Sequence, residues 1–229
     1  MQMKTIAIIV AGGSGTRFGA RVPKQFLELG GEPILMRTIR AFEHALAGMD
    51  HEIVVTLPDG QFEQWQALCR EHSFDVPHGL VRGGETRWHS VKNALDKLGE
   101  PGDGDIIAVH DGVRPLATAE LIHRVLDTAR RTGAAIPVVA LNDSVRQLDG
   151  DVSRALDRSS LRAVQTPQAF DARLLLDAYG QPFDSTFSDD ASVVERAGHA
   201  VSLVEGDPIN LKITRPMDLA LAEYLLKNA

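Results

Sequence analysis

Cysteine is almost absent from this sequence, and aromatic residues are scarce. The 229 residues include one cysteine, Cys69, and only 5% phenylalanine, tryptophan and tyrosine. A single cysteine excludes an intrachain disulfide and a cysteine metal cluster. The residues around Cys69 have a helical pattern, so we predict that it is a small core residue.

Long hydrophobic runs are missing as well. No apolar stretch approaches the roughly 20 residues that a membrane-spanning helix needs. The first residues run straight into a strand pattern, which is not the composition of a signal peptide. We therefore expect a cytoplasmic protein without a membrane partner.

The chain also has no surplus of positive charge. It carries 24 Lys and Arg residues against 31 Asp and Glu residues, a net charge of −7. This balance argues against a nucleic acid held by bulk electrostatics. The histidines lack the H-x-x-x-H and H-E-x-x-H spacings of zinc sites, and no G-x-S-x-G indicates a serine hydrolase.

Apolar strand patterns alternate with amphipathic helix patterns along the chain. The predicted strands are Thr5–Val10, Glu52–Leu57, Leu80–Arg82, Ile106–Val109, Ala134–Val139 and Ala200–Leu203. The predicted helices are Ile34–Ala47, Gln61–Glu71, Arg87–Leu98, Ala119–Arg130, Asp171–Tyr179, Asp189–Ala197 and Pro216–Leu226. This order predicts an α/β domain with a mostly parallel sheet covered on both faces. Ligands of such sheets bind beyond the carboxyl ends of the strands.

A polar and charged stretch from residue 142 to about 164 interrupts the alternation. Asp149 and Gly150 form a turn signal between Asp143–Leu148 and Val152–Leu156. We predict a β-hairpin, and an isolated hairpin is only marginally stable in water. It should therefore pack against this subunit or against a second copy of the chain.

A glycine-rich loop directly follows the first predicted strand. Its sequence is AGGSGTRFG from residue 11 to 19, and Pro23–Gln25 follows. Glycine lets the backbone bring its N–H groups close to an anion, and Arg17 and Lys24 add two cations. The loop matches neither G-x-x-x-x-G-K-[ST] nor G-x-G-x-x-G, because Phe18 replaces the third glycine. We predict a phosphate site; the alternative is an ordinary strand–helix connection.

A second candidate site follows the strand Ile106–Val109. Asp111 at a strand end beside a phosphate loop is a natural magnesium ligand, and Arg114 can bind a phosphate through two hydrogen bonds. The alternative is an Asp111 that caps a turn and pairs with Arg114. We predict that His110 is a buried structural residue, because a phosphate nucleophile needs no general base.

Two glycines, Gly83 and Gly84, precede a predicted helix. They could admit a flat base against the backbone, with Ser90 forming a hydrogen bond to the edge of the base. A glycine turn in which Thr86 caps the helix explains the pattern equally well.

Three polar residues, Asn210, Lys212 and Thr214, alternate before the last predicted helix. They can face one side of an extended segment and form an anion site at the helix start. Thr166 and Ser188, in two other segments, first suggest ordinary helix caps.

Together and in this order, these segments resemble the 2-C-methyl-D-erythritol 4-phosphate cytidylyltransferase family of non-mevalonate isoprenoid synthesis. The resemblance covers essentially the whole chain. It rests on A-G-G-x-G-x-R-F/M-G with P-K-Q, G-G-x-x-R-x-x-S-V, H-D-x-x-R-P, D-R…T-P-Q, D-D/E-A-S and N-x-K-x-T-R-P-x-D-L-A-L-A-E.

The resemblance implies that CTP and methylerythritol 4-phosphate react to give 4-diphosphocytidyl-methylerythritol and pyrophosphate, with Mg²⁺ as the cofactor. It implies one Rossmann-like α/β domain over residues 1–229, of the nucleotide-diphospho-sugar transferase type. A protruding β-arm at about residues 140–164 would clasp a second subunit in a homodimer with a shared active site. This arm accounts for the predicted hairpin.

The resemblance also implies a role for each matching residue. Catalysis would rest on three cations, Arg17, Lys24 and Lys212, of which the first two grip the triphosphate. The CTP site would consist of Ala11, Gly12, Gly13, Gly83, Gly84, Glu85 and Ser90. The acceptor would be bound by Asp111, Arg114, Ser144, Thr166, Ser188, Lys212 and Thr214, with Asp111 and Asn210 as candidate metal ligands. Arg158, on the arm, would reach the substrate phosphate in the partner subunit.

The matching positions leave two other functions open. Ser144 and Ser188 stand where the family commonly has threonine, and both keep a hydroxyl. A ribitol 5-phosphate cytidylyltransferase would share the CTP residues and differ around Ser144, Thr166 and Ser188. A catalytically silent nucleotide-binding module is the alternative from another class, and the retained cations argue against it.

Overall fold

The computed structural model describes residues 3–12 and 22–228 of the chain. Its strands are β1 (Thr5–Val10), β2 (Glu28–Leu29), β3 (Glu32–Pro33), β4 (His51–Leu57), β5 (Gly79–Arg82), β6 (Ile106–Asp111), β7 (Ala134–Ala140), β8 (Val145–Asp149), β9 (Val152–Leu156), β10 (Arg162–Val164), β11 (Gln168–Asp171) and β12 (Ser202–Glu205). Its α-helices are α1 (Ile34–Leu46), α2 (Phe62–Glu71), α3 (Arg87–Leu95), α4 (Ala119–Thr132), α5 (Ala172–Ala178), α6 (Asp190–Arg196) and α7 (Pro216–Asn228). None of these helices is both long and apolar enough to cross a membrane.

One mixed sheet of eight strands forms the centre of the molecule. Its order is β10–β7–β11–β6–β1–β4–β5, with β12 also paired to β7. β1 pairs in parallel with β4 and with β6, and its apolar residues are buried. The register places Val10 beside Thr56 on one side and beside Asp111 on the other. Three strands therefore end together at one edge of the sheet.

Helices cover both faces of this sheet, as predicted. Residues of β1 alternate between the two faces, because successive side chains of a strand point in opposite directions. Ile9 packs with Phe42 of α1 and Trp65 of α2, whereas Ile8 packs with Val91 of α3 and with α5 and α6. Helix α7 packs on a smaller third cluster around Ile213.

The helices beside the strand ends begin at polar caps. The Thr86 side chain accepts a hydrogen bond from the His89 N–H and caps α3, so the cap that the sequence offered as one of two alternatives is present. The predicted caps at Thr166 and Ser188 are wrong. Thr166 precedes strand β11, and Asp189 caps α6 in a reciprocal pair with Ser192, so Ser188 lies one residue before the cap.

Two strands of the large sheet were not predicted. β11 runs antiparallel between β6 and β7, and β10 runs antiparallel to β7. Both are four residues or shorter, too short for the alternation that distinguishes a strand in a sequence. The strand predicted at Ala200–Leu203 lies at Ser202–Glu205, where it pairs with β7. The sheet is therefore mixed, although it remains mostly parallel.

The predicted hairpin is present. β8 and β9 pair antiparallel in a two-stranded sheet of their own. Most of its residues are exposed, including the apolar side chains of Leu148 and Val152, which are 77% and 67% exposed. The first strand starts at Val145, two residues later than predicted.

Candidate active site

Two adjoining cavities open at the edge where β1 and β6 end. The first has a volume of about 430 Å³ and the second of about 240 Å³. Among the described residues, Arg87, Asp111 and Lys212 border both cavities and form a shared wall. Of the predicted site residues, the first cavity also brings together Ala11, Gly12, Lys24, Gly84, Glu85 and Ser90, and the second Arg114, Thr166 and Ser188.

Three cationic side chains surround Asp111 in the shared wall. Its Oδ2 lies 3.0 Å from Arg114 Nε and 3.0 Å from Lys212 Nζ, and its Oδ1 lies 3.6 Å from Arg87 Nε. Burial alone would raise the pKa of this carboxyl, but Arg87, Lys212 and Arg114 hold the pKa well below its usual range. Asp111 therefore stays charged. The pairing with Arg114 that the sequence offered as an alternative exists, but both partners still border the second cavity.

Arg87 is a site residue that sequence reasoning missed. It is the first residue of α3, and its Nη2 donates a hydrogen bond of 2.6 Å to Oδ2 of Asp190. Asp190 is fully buried, and its Oδ1 accepts a 2.7 Å hydrogen bond from the Tyr179 hydroxyl. The arginine of G-G-x-x-R was visible in the sequence. Its carboxylate partner lies 103 residues away, and no sequence signal connects the two.

A closed ring of hydrogen bonds lies behind the second cavity. Thr166 Oγ1 contacts His110 Nδ1, and His110 Nε2 contacts the Arg114 carbonyl. Arg114 Nη1 donates to the Asn210 carbonyl, and Asn210 Nδ2 donates to the Thr166 carbonyl. All four residues are buried. The ring therefore fixes the turn after β6, the loop before β11 and the segment before α7 relative to one another.

The state of His110 sets the direction of the hydrogen bonds in this ring. Burial lowers the pKa of His110 to about 4, so its imidazole is neutral near pH 7. A carbonyl only accepts, so Nε2 carries the proton toward Arg114 and Nδ1 accepts from the Thr166 hydroxyl. The prediction that His110 is buried and hydrogen-bonded is confirmed. Thr166 Oγ1 also accepts from the Asp111 N–H, which holds the Asp111 backbone in place.

The wall of the first cavity beside α3 is built around Ser90. Its hydroxyl donates to the Thr86 carbonyl and accepts from the Gly84 N–H, both at 3.0 Å. A Cβ on Gly12 or Gly83 would lie 3.3 Å from Ser90 Oγ, so these glycines leave the space that the wall needs. Gly83 contributes by this packing, although it does not itself border the cavity among the residues described.

Gln25 ties the Lys24 turn to the end of β1. Lys24 begins a short 3-10 helix, Lys24–Phe26, and borders the first cavity. The buried Gln25 donates from Nε2 to the Ala11 carbonyl at 3.0 Å and to Gln61 Oε1 at 2.7 Å. These hydrogen bonds hold the backbone of Lys24 in place next to the end of β1.

Several predicted residues do not meet at the cavities within the described part of the chain. Asn210 is buried in the ring, and the Thr214 hydroxyl donates to Asp218 at the start of α7. Ser144 and Arg158 are exposed near the hairpin, where the Arg158 side chain donates to the Asn142 carbonyl. The two remaining predicted residues, Gly13 and Arg17, lie outside the described residues.

The described residues contain no group of three or more His, Cys, Asp or Glu side chains that could hold a metal ion by themselves. Asp111 offers one carboxylate to the cavities, and cations surround it. Mg²⁺ is usually held by one or two carboxylates together with substrate phosphates and water. Asp111 is one carboxylate of this kind at the shared wall.

Comparisons with known proteins identify a single family. A family model described as 2-C-methyl-D-erythritol 4-phosphate cytidylyltransferase matches residues 5–228. A protein of that name from Bacteroides thetaiotaomicron is 47% identical over 98% of this chain and 100% of its own length. Another, from Bacteroides fragilis, is 48% identical over 96% of this chain and 98% of its own length.

Solved structures agree with the sequence comparisons. The crystal structure of 2-C-methyl-D-erythritol 4-phosphate cytidylyltransferase from Thermus thermophilus is 33% identical, with a TM-score of 0.75. The match covers 99% of this chain and 100% of that one. A crystal structure of 4-diphosphocytidyl-2C-methyl-D-erythritol synthase is 31% identical, with a TM-score of 0.81 and 99% coverage of both chains.

Proposed function

This chain belongs to the 2-C-methyl-D-erythritol 4-phosphate cytidylyltransferase family, and we propose that its two joined cavities are the active site. The enzyme transfers CMP from CTP to 2-C-methyl-D-erythritol 4-phosphate, giving 4-diphosphocytidyl-2-C-methyl-D-erythritol and pyrophosphate. The observation that carries the assignment of the site is the shared wall of Arg87, Asp111 and Lys212. Such a wall brings cations to the point where two anionic substrates must meet.

The first cavity is the proposed CTP site. Gly12 and Gly84 border this cavity, and Lys24 supplies a cation for the triphosphate. The Ser90 hydroxyl donates its hydrogen bond to the Thr86 carbonyl, so toward a nucleotide base it can only accept a hydrogen bond. This suits the exocyclic amine of cytosine, which is a hydrogen-bond donor.

The second cavity is the proposed acceptor site. Arg114 and Lys212 supply positive charge for the phosphate of methylerythritol 4-phosphate, and Ser188 supplies a hydroxyl. The Thr166 hydroxyl donates to His110, so it can bind the substrate only by accepting from a hydroxyl of the polyol.

The chemistry needs alignment and charge neutralisation more than proton transfer. The phosphate of the acceptor is already an anionic nucleophile at neutral pH, so no general base is required. His110 is fully buried and both of its ring nitrogens are hydrogen-bonded within the protein, which agrees with the absence of such a role. Lys24, Lys212 and Arg17 would cancel the repulsion between the two substrates and hold them in line for attack at the α-phosphorus.

Mg²⁺ is the proposed cofactor, and Asp111 would hold it together with phosphate oxygens of CTP. The ion would neutralise triphosphate charge and polarise the α-phosphorus. Asn210 does not border either cavity among the described residues, and its Nδ2 is bound to the Thr166 carbonyl. It would keep Thr166 and Arg114 in place beside the ion.

The hairpin β8–β9 is the proposed dimerisation arm. Its apolar side chains Leu148 and Val152 are exposed, and such a surface is suited to a second subunit. Ser144 and Arg158 are also exposed and would complete the acceptor site of the partner. The protein would then act as a homodimer with shared active sites.

Pyrophosphate release by the purified protein with CTP and Mg²⁺ tests this function. Methylerythritol 4-phosphate and ribitol 5-phosphate are supplied in separate reactions. Turnover with methylerythritol 4-phosphate alone is expected. Turnover only with ribitol 5-phosphate would support the assignment of the CTP site and contradict the assignment of the acceptor. No turnover with either acceptor would contradict the proposed active site.

A further inference from the structure

We propose that Arg87 contacts the phosphate groups of both substrates at the junction of the cavities, and that Asp190 and Tyr179 are positioning residues that hold it there. The inference rests on the proposed function of the two cavities. It adds a substrate-contacting residue and a buried support to the cations already considered.

Arg87 occupies the position at which the new bond would form. It borders both cavities, as do Asp111 and Lys212. In a transfer from CTP to an acceptor phosphate, the attacking oxygen and the α-phosphorus must meet between the two binding sites. A cation in the shared wall therefore faces the attacking phosphate and the α-phosphate at once.

The contacts of Arg87 leave donors for a ligand. A guanidinium group has five N–H donors. One donor of Nη2 is used in the 2.6 Å hydrogen bond to Asp190. The Nε atom lies 3.6 Å from Asp111 Oδ1, beyond the ordinary range of a hydrogen bond. The side chain is thus anchored at one end while its remaining donors stand beside the cavities.

The Asp190 carboxylate is a rigid anchor because it is buried and accepts two hydrogen bonds. Asp190 is fully buried, and its two oxygens accept from Arg87 and from the Tyr179 hydroxyl. The Tyr179 ring is stacked on Trp88 with 5.3 Å between the ring centroids. A guanidinium held in this way keeps its orientation before the substrates arrive, which is what stabilisation of a transition state requires.

Charge supports the same role. The pKa of Arg87 would fall through burial, but Asp190 and Asp111 raise it above its ordinary value, so the group stays charged. Among the described residues, the ion pairs of Arg87, Arg114 and Lys212 are with two carboxylates, Asp111 and Asp190, which is an excess of one positive charge. An anionic substrate would be attracted to this excess.

The test is chemical rescue of an Arg87→Ala variant. Rates of pyrophosphate release are measured with CTP and methylerythritol 4-phosphate, with and without millimolar guanidinium ion. We expect kcat to fall by about 10²-fold and the KM for CTP to change by less than about threefold, as for loss of a donor used in the transition state. Guanidinium should restore part of kcat, and urea, its neutral analogue, should not.

A Tyr179→Phe variant tests the support separately. It removes one hydroxyl and keeps the stacked ring, so the fold should survive. We expect kcat to fall by about tenfold, comparable with the loss when a hydrogen-bonded partner that orients a metal ligand is removed. Arg196→Ala is the matched control, because Arg196 lies on α6 and forms an exposed ion pair with Asp184. It should keep the wild-type kcat.

The outcomes separate this inference from the proposed function. If the wild-type protein releases no pyrophosphate, the proposed function fails. If the wild type is active and a folded Arg87→Ala variant keeps its kcat, or loses kcat that guanidinium does not restore, the contact by Arg87 is overturned. If Arg87→Ala does not fold, Arg87→Lys replaces it, and a wild-type kcat in that variant overturns the inference equally.

Discussion

Two lysines carry much of the proposed catalytic charge, and they stand at different places in the site. Lys24 borders the first cavity, and Lys212 borders both and contacts Asp111 at 3.0 Å. Each would act on charge that develops at the α-phosphorus. Removing one such donor typically costs about 10²-fold or more in rate.

We expect Lys24→Ala and Lys212→Ala each to lower kcat by at least about 10²-fold, measured as pyrophosphate release at saturating substrates. Lys227→Ala is the control, since Lys227 is exposed in the last turn of α7. A purified Lys24→Ala variant with near-normal kcat would refute the role of that lysine.

His110 gives a prediction about stability and pH. Its pKa is lowered from the ordinary 6.5 to about 4 by burial. Between these values the unfolded chain binds a proton that the folded protein does not, so the free energy of unfolding should fall as the pH falls from 6.5 to about 4. The gap between the two pKa values corresponds to a contribution of about 3 kcal/mol.

Chemical denaturation at pH 7 and at pH 4 measures this effect. The wild type should lose about 3 kcal/mol more than a His110→Asn variant between the two pH values, because the variant lacks the titrating group. His199→Asn, at an exposed position, should keep the wild-type dependence. Equal pH dependence in the wild type and His110→Asn would show that His110 is not held neutral by the fold.

At the scale of single residues, the sequence could predict the position of a side chain where the pattern of adjacent residues fixes it. Asp111 and Arg114 follow a strong strand pattern, and their position at the sheet edge follows from it. Arg87 could not be predicted in the same way. Its role depends on Asp190, which α6 brings to it from a distant part of the chain.

At the scale of elements, the predicted helices were confirmed to within a few residues at their ends, and the longer ones, such as α1 and α4, have an apolar periodicity over three turns or more. The parallel strands β1, β4 and β6 were confirmed for a similar reason, since each is a continuous apolar run. β11 was missed, because its four residues pair with β6 and β7 through contacts that are distant in the sequence.

The turn between β5 and α3 gives a prediction for one element. A Cβ at Gly84 would collide with the Cβ of His89 and lie 2.9 Å from the His89 backbone carbon. Since backbone cannot move aside easily, we expect Gly84→Ala to lower the free energy of unfolding by about 1–3 kcal/mol and to weaken CTP binding. Denaturation and calorimetric titration with CTP measure the two effects.

Gly99→Ala is the matched control for Gly84→Ala. Gly99 is exposed, and a Cβ there would meet no atom within 4 Å among the described residues. This substitution should leave stability and CTP binding close to wild type. If Gly84→Ala behaves like Gly99→Ala, the turn is not the tightly packed wall described above.

At the scale of the whole molecule, the sequence could predict the class of fold and the presence of a hairpin with little core of its own. It could not predict from periodicity what covers the hairpin, because alternation along two strands predicts their pairing and not the surface on which they pack. In the structure, Leu148 and Val152 of the hairpin are exposed, so no described part of this chain covers them. A second copy of the chain is the proposed partner, and that proposal has a direct functional consequence.

If Arg158 serves the partner's site and Lys24 serves its own, two variants of low activity should complement each other. In a mixed dimer of Arg158→Ala and Lys24→Ala subunits, one of the two sites keeps both residues. Mixed dimers purified with two different tags should therefore recover about half of the wild-type rate of pyrophosphate release. Each variant alone should stay weakly active, and Arg158→Ala should raise the KM for methylerythritol 4-phosphate.

Arg154→Ala is the control on the same arm, because Arg154 is exposed and its guanidinium binds Gln147 on the neighbouring strand. It should remain active by itself. Mixed dimers that regain no activity would contradict the shared site even if the protein is dimeric, and a chain that stays monomeric at assay concentrations would contradict the arm as well. Recovery would place the acceptor phosphate between two subunits, so that the hairpin gains both its packing and its function only in the dimer.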